Sequence, residues 1–159
     1  MRYRKIRKTM AISLKIFLIC FSSVLAFNIQ TAYCGETYVK PGSHALTLAV
    51  NGLERSYIVY VPTSHGPQTP LPLVIMLHGG GGTARAAMWE TGWAEKADKE
   101  GFLAVFPNAM ARNPARRSSF AGNPQLWNDG SDRFYSGQEA PDDVGFIAAM
   151  LDDLAARFT

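Results

Sequence analysis

LPLVIMLHGGGGT, residues 71–83, is a short apolar run that stops in a histidine and four consecutive glycines. Leu73, Val74, Ile75, Met76 and Leu77 are apolar without alternation, which predicts a strand covered on both faces in a parallel sheet. The glycines then turn the chain. Gly79, Gly80, Gly81 and Gly82 can take backbone angles closed to other residues, and no side chain blocks a ligand. Main-chain N–H groups in such a turn can point together at a bound oxyanion, so this is where chemistry is expected.

On the N-terminal side, residues 44–61 hold two β-rich runs, HALTLAV and RSYIVYV, around Asn51-Gly52. That dipeptide accepts the positive φ angles of a tight turn and predicts an antiparallel hairpin, ended by Pro62. A proline-rich loop, residues 63–72, then delivers the chain to the central strand. After the glycines, Trp89, Trp93, Ala94 and Ala97 fall at helical spacing within residues 88–100, with Gly101 placed to cap the helix. FLAVF, residues 102–106, is a second buried strand stopped by Pro107, so strand, glycine turn, helix and strand form one βαβ unit. This strand or its neighbour is left as an open sheet edge, an aggregation liability that predicts poor solubility.

Residues 108–141 lack a period, but Trp127, Phe134 and Tyr135 favour an ordered loop near the strand ends. The last element is a helix opened by Pro141, with Asp142 and Asp143 complementing its positive end. Val144, Ile147, Leu151, Leu154 and Phe158 are its expected apolar stripe. The fold class is α/β, an antiparallel hairpin followed by a parallel βαβ unit and a further helix.

Residues 1–34 read as a separate leader. Arg2, Arg4, Lys5, Arg7 and Lys8 form a basic segment, residues 16–27 an apolar one, and Ala32 and Cys34 supply small residues before a cleavage after Cys34. A signal peptide and a secreted or periplasmic location are expected. The apolar run is shorter than the roughly 20 residues a membrane span needs, so no stable anchor is expected. The leader carries six of the sixteen Lys and Arg and none of the thirteen acidic residues, leaving ten positive against thirteen negative in residues 35–159. The basic pI therefore belongs to the leader, and nothing in the rest argues for nucleic acid. Both cysteines, Cys20 and Cys34, also fall there, which leaves no disulfide for the domain.

Three chemistries compete for the glycine stretch. A dinucleotide site can be forced onto Gly79, Gly81 and Ala84, but the second strand ends in Phe106-Pro107-Asn108 with no acidic residue for a ribose. A phosphate loop fails because no Gly-Lys-Ser or Gly-Lys-Thr follows. An ester oxyanion hole remains.

PLVIMLHGGGG, MWETGWAEKADKEGFLAVFPNA and DDVGFIAAMLDDLAARF together resemble the N-terminal half of the secreted α/β-hydrolase esterases grouped with polyhydroxybutyrate depolymerases and feruloyl esterases. The resemblance runs over residues 44–158. It implies an α/β-hydrolase fold whose sheet is incomplete here, and a serine mechanism on small-molecule or polymeric esters without cofactor or metal. It further implies that backbone N–H groups of Gly79, Gly80 and Gly81 stabilise the oxyanion, and that His78 buttresses their loop through a hydrogen bond. Glycine stands where dedicated polymer depolymerases can carry cysteine in this loop, which favours soluble esters.

The family's serine, acid and histidine are not in place. Ser43, Ser56, Ser64, Ser118, Ser119, Ser131 and Ser136 sit outside any G-x-S-x-G, and His44, His65 and His78 all precede the region of a nucleophile. The resemblance places the nucleophile strand directly after DDVGFI, so the chain is expected to stop short of its catalytic turn and to be inactive alone. The alternative is a short exported binding protein derived from the same fold. Trp127, in a Trp-Asn-Asp-Gly turn, is expected to pack its indole on the loop, with substrate lining as its second role. Asp142 and Asp143 point about 100° apart on a helix and read as N-terminal charges, not a carboxylate pair.

Overall fold

The computed structural model describes residues 39–66, 70–130 and 140–158, all within one compact unit, Glu36–Thr159. The leader, Ser131, Phe134, Tyr135 and Ser136 lie outside the described residues.

Strands β1 (Gly42–Val50) and β2 (Leu53–Val61) form the expected hairpin, with Val50 opposite Leu53. Asn51 and Gly52 take φ of 50° and 77°, the doubly positive turn that matches strand twist. β1 alternates between half-buried and exposed positions, as an edge strand wet on one face does. From Tyr57 onward β2 is internal, with β1 and β4 (Leu103–Pro107) paired on either side and an apolar layer on each face, and only Tyr60 is left half-buried.

The four-stranded sheet runs β1-β2-β4-β3, with β3 at Leu73–Ile75. β2 and β4 are antiparallel, whereas β3 and β4 are parallel neighbours, Leu73 facing Leu103 and Ile75 facing Val105. Every residue of β4 is buried, so β4 is internal and the edges of the sheet among the described residues are β1 and β3. β3 is also shorter than the apolar run predicts: after Ile75 the chain leaves the ladder through Met76, whose N–H donates to Val105 O at 2.8 Å.

Two apolar layers cover the sheet. On one face Tyr57, Val59, Val61, Leu103 and Val105 pack against Phe146, Met150 and Leu154 of the last helix, α3 (Asp143–Arg157). On the other, Ile58, Ala104 and Phe106 meet Ala84, Ala87 and Ala97 of α1 (Ala84–Thr91) and α2 (Trp93–Glu100). Alanine at those three positions lets the short helices lie close on the sheet.

The single helix expected over residues 88–100 is two helices. Gly92, at φ 68°, takes the left-handed conformation between them, ends α1 and resets the phase of α2. Trp89 is consequently 71% exposed, while Trp93 packs edge-on to Phe102 with ring centroids 5.9 Å apart. Gly101 caps α2 as expected, at φ 72° with its N–H on Ala97 O. Tyr60 O–H and Thr63 N–H each donate to Asp98 at 2.7 Å, tying the end of β2 to α2. The Thr63 N–H first, and then Tyr60, hold the Asp98 carboxyl below the usual range, and Tyr60 is pushed up to about 12.

The apolar stripe of α3 also differs from expectation. Phe146, Met150 and Leu154 face the core, Ile147 and Phe158 are half-buried at its margin, and Val144 and Leu151 are exposed. Asp142 caps the helix by accepting from Gly145 N–H at 2.7 Å, and Pro141 precedes the cap instead of entering the first turn. Asp143 is more than a helix-end charge: it pairs with the buried Arg55 of β2 at 2.6 Å and thereby sets the rotation of the helix.

Candidate functional site

The parallel strand β3 ends where the glycine loop begins, and one wall of backbone and side-chain bonds holds that loop from behind. His78 is buried. Its Nδ1–H donates to Gly79 O at 2.7 Å and its Nε2 accepts from Ala109 N–H at 3.1 Å. Those two partners specify the neutral Nδ1–H tautomer. Burial keeps the imidazole below its ordinary range, only partly offset by the Gly79 carbonyl.

Trp127 donates its indole N–H to His78 O at 2.9 Å, with the two rings 5.3 Å apart. It packs on the α3-side core and is not among the residues that line the cleft beside the glycines. Its place depends on Asp143, whose second oxygen accepts from the neighbouring Asn128 N–H at 2.7 Å.

Inside the loop, Gly82 N–H donates to Gly79 O at 2.9 Å and Gly81 N–H donates to Gln125 O at 2.8 Å. The Gly81 amide is thus engaged, whereas those of Gly79 and Gly80 have no hydrogen-bond partner among the described residues. Both of those glycines are exposed. Gly81 has φ 77°, and a Cβ there would lie 2.9 Å from Phe120 Cδ2. A Cβ on Gly82 would meet Gly79 O at 3.0 Å. Glycine is therefore required at 81 by conformation and at 82 by close approach.

Asn108 is a residue that sequence reasoning passed over. It follows Pro107 at the end of β4 and accepts from Ala84 N–H, the first amide of α1, at 2.7 Å. It also donates through Nδ2 to Ser56 Oγ at 3.0 Å, and its backbone N–H reaches Ser56 O at 2.9 Å. An amide side chain just past a buried strand and beside a glycine turn is the signal that marks it, since it can satisfy a donor and an acceptor at once.

The loop after Asn108 is ordered around Asn123. β5 (Met110–Ala111) and β6 (Gln125–Leu126) pair antiparallel, and the buried Asn123 reaches Asn113, Arg116 and Arg117 carbonyls through Nδ2 while accepting from Asn113 N–H. This arrangement presents Gln125 O to the glycine loop and Phe120 to the cleft.

The cleft itself holds about 420 Å³, within the range of small-ligand sites. It is lined by Met76 and Leu77, the four glycines, one side of α1 and Phe120. Chemically the arrangement offers two unengaged backbone donors beside an apolar hollow, the parts needed to bind a carbonyl oxygen and receive an apolar group. Among the described residues no group of three or more His, Cys, Asp or Glu is placed to hold a metal, and no helix is long and apolar enough to cross a membrane. No protein-family model and no curated protein matches this chain.

Replacing Gly81 by alanine is expected to destabilise the fold by about 1–3 kcal/mol through its positive φ and the contact with Phe120. Chemical denaturation of Gly81→Ala alone and combined with Phe120→Ala separates the two causes: the double variant recovers the steric part only. Stability is also expected to fall with pH in a window set by His78. Its folded pKa lies below the unfolded value of about 6.5, so the unfolded chain binds the proton more readily. The contribution is present above pH ~6.5 and is lost as pH falls below it. Denaturation midpoints at pH 7.5 and 5.5 should differ less in His78→Asn than in the unaltered chain.

Proposed function

We propose that this chain is the N-terminal portion of a carboxylic-ester hydrolase of the α/β-hydrolase fold, exported through its leader and supplying the oxyanion hole of a serine mechanism. The observation that carries the reading is the pair of unengaged amides, Gly79 and Gly80, at the C-terminal end of a parallel strand beside an apolar cleft. In ester hydrolysis a serine attacks the carbonyl carbon, and the tetrahedral oxyanion takes hydrogen bonds from such amides in the transition state. His78 acts here as a positioning residue, holding the Gly79 carbonyl and with it the Gly80 N–H of the same peptide plane. It is not the general base, because Ala109 N–H already occupies its Nε2.

The sequence contains no G-x-S-x-G and no histidine beyond His78. The chain alone is therefore expected to show no sustained turnover of p-nitrophenyl butyrate above a buffer control, since an oxyanion hole without its nucleophile retains at most weak catalysis. Sustained turnover by the purified protein would sink that claim. The wider reading is tested by sequencing the gene past the codon for Thr159. A frame that runs within about 30 residues into a β-rich segment and G-x-S-x-G supports the hydrolase; a stop followed by unrelated sequence favours the short exported binding protein instead.

A further inference from the structure

Large apolar side chains left in water are costly, and a group of them around one hollow marks a binding surface. Leu77, 49% exposed, and Phe120, 78% exposed, come from distant parts of the sequence and line the same cleft. Phe120 is held without being covered. Ser119 and Asn123 exchange both backbone hydrogen bonds, at 2.9 and 3.1 Å, so the aromatic ring stands on a closed turn. On its other side the ring lies against Gly81, close enough that any side chain there would collide with it. The rest of the lining is Met76, the neutral His78, the four glycines, small alanines and two threonines, and the charged residue among them is Glu90. Among the described residues no Lys or Arg lines the hollow.

We infer that Phe120 and Leu77 form the wall that receives the acyl chain of an ester, that this acyl chain is apolar and uncharged, and that Glu90 excludes acyl groups ending in a carboxylate. For the ester end the inference rests on the esterase reading. An aliphatic chain laid from the Gly79 and Gly80 amides along Phe120 buries apolar surface on both partners. A terminal carboxylate would instead face Glu90 in a hollow with no compensating cation, where like charges repel. Phe120 thus determines specificity without touching the reacting atoms.

The full chain is titrated with methyl hexanoate, monomethyl adipate and methyl hexyl ether, with binding read by saturation-transfer NMR. Methyl hexanoate is expected to bind and monomethyl adipate to bind about tenfold more weakly. Phe120→Ala weakens methyl hexanoate about five- to tenfold, and Phe120→Leu keeps most of the affinity. Glu90→Gln brings monomethyl adipate to within about threefold of methyl hexanoate. Phe120 and Glu90 are both exposed, so these variants leave the core intact. Unchanged binding of methyl hexanoate to Phe120→Ala, or equal binding of the two esters to the unaltered chain, overturns the inference. Methyl hexyl ether binding as well as methyl hexanoate, with the same dependence on Phe120, upholds the apolar wall but overturns the placement of the ester end at the Gly79 and Gly80 amides, because the carbonyl then contributes nothing to binding.

Discussion

Replacing Asp143 by alanine is expected to cost about 3–5 kcal/mol of stability, a fall in Tm on the order of 10 °C or more. Arg55 is 2% exposed, and its guanidinium lies over the Phe146 ring at 4.1 Å. Its Nη2 donates to Asp143 at 2.6 Å and more weakly to Asn108 O at 3.4 Å, and its Nε has no partner among the described residues. A buried cation already short of one partner has little left once the carboxylate is gone, and the loss is the desolvation of an unpaired charge. The damage also reaches the cleft, because Asp143 holds Asn128 N–H beside Trp127, and Trp127 holds His78 O.

Two comparisons make that expectation specific. Arg55→Met with Asp143→Ala should be more stable than Asp143→Ala alone, since removing both charges removes the stranded one. Lys96→Ala, which breaks an exposed pair 3.4 Å long with partners 55% and 59% exposed, should change stability by less than about 0.5 kcal/mol. Urea denaturation of the three variants reads all of this. An Asp143→Ala loss as small as that of Lys96→Ala would mean that Arg55 finds water or another partner, and that the pair does not fix α3.

The same pair explains which parts of the structure were legible in the sequence. The hairpin was readable because Asn51-Gly52 encodes its own turn and the runs on either side are β-rich. β4 was readable because FLAVF is uninterrupted and Pro107 ends it, and the glycine loop because four glycines after an apolar run permit little else. Each of these signals is local. The break at Gly92 was obscured because a glycine inside a helical pattern is ordinarily tolerated, and only the left-handed angle turns it into a boundary. The engagement of the Gly81 amide depends on Gln125, far along the chain. Order in the loop after Asn108 comes from one side chain, Asn123, which leaves no periodic trace. The position of the glycine loop was thus available from the sequence, while the engagement of its amides and the placing of Phe120 beside it required distant contacts.

Phe146→Ala is expected to destabilise the protein by about 3–5 kcal/mol and Met150→Ala by about 2–5, whereas Val144→Ala and Leu151→Ala should each stay near 0.5 kcal/mol or less. Sequence periodicity alone supports the opposite ordering equally well, because Val144, Ile147, Leu151, Leu154 and Phe158 also recur at helical spacing. At 100° per residue the two stripes are centred roughly 80° apart, and Leu154 belongs to both. Helical periodicity cannot choose between them. The choice is made at the first turn, where Asp143 must point at Arg55, 88 residues earlier, while Asp142 caps Gly145. With that turn fixed, Phe146 and Met150 are carried fully into the core, both at 0% exposure, and Val144 is left at 83%. Thermal or urea denaturation of the four alanine variants measures the ordering directly. Large losses at 144 and 151 with small ones at 146 and 150 would mean that α3 sits rotated on the sheet, and the Arg55–Asp143 pair could then not be formed as described.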